Sequence, residues 1–149
     1  TIGFDVSKYS PEAREKMFIA RLGYGGRPYH NSTSKKGDRF TAGVRTFGEY
    51  GLRSDVKPPT ITPVNFKNGQ WISGNPTLVL RVTDDLSGIN SYRATVNGKF
   101  ILLEHEYKNN TLTHYFSDGV VTDTENNLKV VVTDNVGNSS TYEATFHRK

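Results

Sequence analysis

The groups in this chain that could carry chemistry are four histidines, scattered carboxylates and two oxygen-rich stretches, VTDDLSGINS (Val82–Ser91) and VTDNVGNSS (Val132–Ser140). There is no cysteine, which excludes a thiolate nucleophile and leaves His and carboxylate as the only strong metal ligands. The metal candidates are His105 and His114. If Asn109-Asn110 forms a two-residue turn, His105 faces His114 across the hairpin, and directly opposed Cβ atoms lie about 5 Å apart, close enough to share an ion. The other residues on that face are Leu103, Tyr107, Leu112 and Phe116, so a third ligand is missing. The pair therefore reads as neutral histidines at the margin of an apolar face, and no metal or other cofactor is expected.

His114 and Asp118 also have the H-x-x-x-D spacing of some zinc peptidases. On a continuing strand, positions four apart lie about 13 Å from each other, too far to share an ion unless the chain folds back sharply. H-x-H, H-E-x-x-H and the G-x-S-x-G elbow are all absent. Neither oxygen-rich stretch has the EF-hand spacing. Asp and Asn at the start of a turn bond the backbone two residues on, so both stretches read as turns, with a calcium role for Asp84 and Asp85 as the alternative. Candidate binding residues are Phe100 and Leu102, which point away from the apolar face of their hairpin, and Trp71, which could stack on a sugar ring as Tyr24, Tyr29 and Phe100 could. Packing in a core or between domains is the competing reading for each. No catalytic residue emerges.

The elements that must position these groups are strands. From residue 60 onward seven are expected, at about 60–66, 77–84, 91–97, 99–107, 111–116, 127–134 and 140–147, with Leu78, Leu80 and Val82, or Leu128, Val130 and Val132, alternating onto one face. Short alternating strands with turn signals between them indicate an immunoglobulin-like β-sandwich. Asn97-Gly98 is a strong hairpin signal that pairs Ala94 with Ile101. Upstream, Lys16–Tyr24, Arg39–Phe47 and Glu49–Ser54 run short and β-rich, and SPEAREK (Ser10–Lys16) has an N-cap serine followed by proline, predicting one helical turn. Pro58-Pro59 cannot donate to a ladder. The expected organisation is all-β: a small or partial β-domain at 1–55, a linker at 56–59 and the sandwich at 60–149.

Charge is uneven. Residues 1–59 carry eleven Lys/Arg against six Asp/Glu, and residues 60–149 eight against nine. The cations of the first part are spread singly among Gly, Tyr and Ser, which reads as a solvated surface rather than a nucleic-acid site. The aliphatic runs, Val130–Val132 among them, are at most three residues long and too short to span a bilayer. The chain opens on Thr1 rather than a methionine, with no leader-like segment, which reads as a processed product or an excised piece.

The order FGEYGLRSDVKPPTITPVNF, VTDDLSGINSYRATVNGKFILLEHEY, LTHYFSDG and LKVVVTDNVGNSSTYEATFHR resembles the C-terminal region of large Bacteroidetes envelope proteins with a lysostaphin/LytM-type zinc endopeptidase domain. The resemblance covers about residues 40–149. It implies a peptidase domain lying N-terminal to this segment, cutting peptide cross-links of peptidoglycan, with ligands from H-x-x-x-D and H-x-H motifs of its own. Since H-x-H is missing here, no catalytic residue is carried over. What the resemblance implies is a non-catalytic accessory or spacer region of a cell-wall peptidase, periplasmic or at the cell surface. Its partners would be its own N-terminal catalytic domain and peptidoglycan or another envelope component. The alternatives are a metal-dependent hydrolase in its own right and a protein–protein adhesion module.

Overall fold

A computed structural model describes residues 1–149. The chain is all-β and divides into two units. The first is residues 1–57 together with Asp84–Gly88 and Asp134–Asn138, two segments that a contiguous reading of 60–149 places in the sandwich. The second comprises Pro58–Thr83, Ile89–Thr133 and Ser139–Lys149.

The first unit contains β1 (Ile2–Asp5), α1 (Pro11–Glu15), β2 (Met17–Leu22), β3 (Pro28–Asn31), β4 (Ser34–Lys36), β5 (Arg39–Ala42) and β6 (Glu49–Ser54). They form two antiparallel three-stranded sheets, ordered β1-β5-β4 and β3-β2-β6. The helical turn forms as expected: the Ser10 hydroxyl accepts the Ala13 N–H, and Pro11 needs no intrahelical donor. β2 is buried at four consecutive positions, Met17–Ala20. Met17 and Ile19 join Val6, Phe40 and Ala42 in one cluster, while Phe18 and Ala20 pack with Val136 in another. A strand covered on both faces loses the alternation that marks a half-buried one.

The second unit contains β7 (Thr60–Pro63), β8 (Gln70–Trp71), β9 (Thr77–Thr83), β10 (Ile89–Val96), β11 (Lys99–Ile101), β12 (Glu104–Glu106), β13 (Thr111–Tyr115), β14 (Glu125–Asp134) and β15 (Ser139–His147). A five-stranded sheet, β11-β10-β14-β15-β8, and a four-stranded sheet, β12-β13-β9-β7, enclose a single apolar core that includes Leu78, Leu80, Val82, Val130, Val132 and Phe146. Pro63 sits in an edge strand, where its missing N–H leaves no gap in the ladder.

The Asn97-Gly98 hairpin has the expected register, Ala94 opposite Ile101, and both turn residues adopt the positive φ that a tight hairpin turn requires. Two expectations are corrected. The strand expected at 99–107 is interrupted at Leu102-Leu103, and its halves, β11 and β12, belong to different sheets. The next turn spans Tyr107–Asn110 rather than Asn109-Asn110 alone, with Asn110 at φ 55° closing it. Pairing therefore shifts by two residues, placing His105 opposite Leu112 instead of His114. Because the shift is even, each side chain keeps its face, and Leu103 and Leu112 are still buried.

Candidate functional site

The two oxygen-rich stretches form turns, as their composition predicts, and the fold brings both to Asp55. After β9, Asp84 Oδ2 accepts the N–H of Gly88 at 2.8 Å and of Leu86 at 3.3 Å. At the end of β14, Asp134 Oδ1 accepts the N–H groups of Val136 and Asn138, and its Oδ2 accepts the Asn138 amide at 2.8 Å. The turns are joined by Asn135, whose N–H donates to Gly88 O and whose side chain donates to Ser87 O. Asp55, just after β6, completes the cluster by accepting the Ser87 N–H on Oδ2 and the Lys57 N–H on Oδ1, while its own carbonyl accepts from the Asn138 side chain.

Asp55, Asp84 and Asp134 each offer a ligand-type oxygen within 4.8 Å of the others. Asp55 is 3% exposed and Asp134 1%. Carboxylates in such a group could hold a hard cation. Every carboxylate oxygen of the three except Asp84 Oδ1 accepts an N–H. The cluster is thus built as a hydrogen-bonded hub closing two turns. Burial, reinforced by the charges of Asp55 and Asp134, pushes the Asp84 carboxyl above its ordinary range against the pull of the Gly88 N–H. For Asp55, burial is the largest single influence and acts upward, but the bonds from Ser87, the Lys57 N–H and the Asp84 carboxyl together hold it below the ordinary value. Of these two, Asp84 is accordingly the one that takes up a proton first. Asp85, the other calcium alternative, is outside the cluster and pairs with Lys57 Nζ at 2.8 Å.

The histidines are placed differently from the expected opposed pair. His114 is 1% exposed, and its Nδ1 lies 2.8 Å from Leu102 O. Its ring meets Phe116 edge-on. Its Nε2 lies 3.7 Å from Asp118 Oδ1, so the 13 Å separation expected along a continuing strand does not hold. The strand stops at Tyr115, Phe116–Asp118 makes a 3-10 turn, and Gly119 closes it at φ 73°. His105 is wedged by rings, edge-on to Tyr92 at 5.5 Å and tilted against Tyr107 at 4.0 Å, and burial lowers its affinity for a proton.

The candidate contact residues are exposed: Phe100 at 57%, Leu102 at 63% and Trp71 at 52%. Trp71 stacks on His147 with centroids 4.9 Å apart, and Lys149 Nζ lies 5.7 Å from the indole ring. Asp55 is the functional-type residue that sequence reasoning missed. Its local signal, an Asp directly after a strand, is indistinguishable from a simple turn, and its partners are 29 and 79 residues away.

No family model matches the chain, and no curated protein matches it significantly. Among solved structures it is similar to the endo-β-1,4-mannanase from Thermotoga petrophila, with a TM-score of 0.50 and 14% identity over 64% of this chain and 20% of that one. The match spans a fifth of the enzyme, and at that identity the likeness concerns the fold alone.

Proposed function

We propose that this segment is a non-catalytic accessory module of a larger cell-wall enzyme, and that it positions a catalytic domain against its substrate by contacting an envelope polymer. The observation that carries this reading is the burial of His114: the histidine best placed for chemistry is closed off from substrate and bonded to a backbone carbonyl. Asp55 and Asp134 are likewise taken up in turns. A pull-down of the purified chain on peptidoglycan sacculi at low salt tests the reading. Retention is expected, and its absence counts against polymer contact. Stoichiometric zinc in the purified protein, lost on His114→Ala, would instead establish a metal-dependent hydrolase.

A second reading, a protein–protein adhesion module, is favoured by the exposure of Phe100 and Leu102. Concentration-dependent self-association abolished by Phe100→Ser would support it.

A further inference from the structure

Residues from both three-stranded sheets of the first unit line a cleft of about 680 Å³. It carries Arg21 from β2 and Arg45 from the loop after β5. Its polar walls include Asn31, Ser32, Ser34 and Tyr50, no Asp or Glu lines it, and Ala42 is the one aliphatic side chain. Neither guanidinium takes part in an ion pair. Two like charges therefore share one cavity without a counter-charge from the protein.

Both arginines stand on constrained supports. The loop that carries Arg45 is tied down on each side by cleft residues: Asn31 Nδ2 donates to Gly43 O at 3.1 Å, and the Tyr50 hydroxyl donates to Thr46 O at 2.8 Å. Arg21 projects from a strand paired on both edges, with its guanidinium 5.2 Å from the Tyr29 ring centroid. Preorganised donors bind without the entropy of ordering a loop. A guanidinium fork matches a carboxylate with two parallel hydrogen bonds. Hydroxyl and amide walls in a mainly polar lining suit the ring hydroxyls of a sugar, whereas a peptide would want apolar pockets for its side chains. The volume falls in the usual range for a small-ligand site.

We propose that this cleft binds a carboxylate-bearing oligosaccharide, with Arg21 and Arg45 each holding a carboxylate and with Asn31 and the serines holding ring hydroxyls. The proposal rests on the reading that the segment contacts an envelope polymer, and it adds which chemistry the contact recognises.

The test is an NMR titration of the whole chain with an alginate tetramer, using cellotetraose as the uncharged saccharide and tetraglutamate as the charged peptide. Alginate is expected to shift the amides of Arg21, Asn31, Ser34, Arg45 and Tyr50, more weakly as salt is raised, while cellotetraose leaves them in place. Arg21→Gln and Arg45→Gln should each weaken binding about tenfold, with spectra unchanged elsewhere to show that the fold is retained. The proposal is overturned if millimolar alginate leaves those amides unmoved, if tetraglutamate shifts them equally, or if the double variant binds undiminished. Sacculi retained equally by wild type and double variant would remove the cleft and leave the accessory role standing. Alginate binding without retention on sacculi would do the reverse.

Discussion

The second unit buries sixteen apolar side chains in one cluster, whereas the first divides eight between two clusters and fills much of its remaining interior with Asp55, Ser87, Asp134 and Asn138. One interior is held by area removed from water, which is forgiving of direction. The other depends on donors meeting acceptors, where a single missing partner leaves a buried polar group unsatisfied. The β-units of one chain can thus respond to opposite kinds of substitution. In the sandwich the damaging change removes carbon atoms. In the first unit it removes an acceptor.

The largest effect should come from Phe146→Ala. The ring is fully buried against Phe116, and its loss should cost about 4 kcal/mol in urea-unfolding experiments. A cost below about 1 kcal/mol would mean that the core collapses around the gap and would break the contrast. Next is Asp134→Ala, which strands the N–H groups of Val136 and Asn138 and the Asn138 amide. It should cost about 3 kcal/mol, although no apolar contact is lost. Stability within about 0.5 kcal/mol of wild type would show that water replaces the carboxylate and that the hub is not structural. His114→Phe fills a similar volume but gives up the bond to Leu102 O, and denaturation should register a loss of about 1 kcal/mol.

The carboxyl hub also makes pH a probe. A carboxyl whose folded pKa is raised, as at Asp84, binds protons more readily when folded. Its contribution to stability is complete below the unfolded value of about 3.9 and is lost as pH rises through the folded value. For Asp55, held below its ordinary value, the contribution is present above the unfolded pKa and lost as pH falls through the folded one. Asp84→Asn keeps an acceptor for the Gly88 N–H and removes one of three neighbouring charges. The variant should be more stable than wild type at neutral pH, with the advantage shrinking toward acid. Melting temperatures across a pH series check this, and an Asp84→Asn variant less stable than wild type at neutral pH would show that the charge is needed. The smallest effect is expected at Phe100→Ser, within about 0.5 kcal/mol of wild type because the ring is more than half exposed. A large loss there would show that the ring contributes to the fold.

How much could be read in advance follows the same division. Leu78, Leu80, Val82, Val130 and Val132 alternate because one face of each strand is buried, and period two survives in the sequence whatever the partner strand. Asn97-Gly98 fixed its hairpin because few residue pairs accept two positive φ angles. Tyr107–Asn110 was less legible: four residues closed by Asn110 look locally like two, and nothing local separates a register from the one two residues away. β1, β3 and β4 carry three or four residues each and drew no strand reading, because pairing rather than local pattern makes them strands. The fold-back that brings Asp118 to His114 follows from the 3-10 turn after β13, which the alternation of β13 does not announce.

The all-β class and the turns at VTDDLSGINS and VTDNVGNSS were legible in the residues alone, because backbone chemistry and side-chain period act over a few residues. That Asp55, Asp84 and Asp134 meet, and that Arg21 and Arg45, 24 residues apart among scattered cations, line one cleft, comes from the fold alone. Convergence of distant residues depends on which strands pair and in what register, and that is set by the energy of the whole fold rather than by any window of the chain.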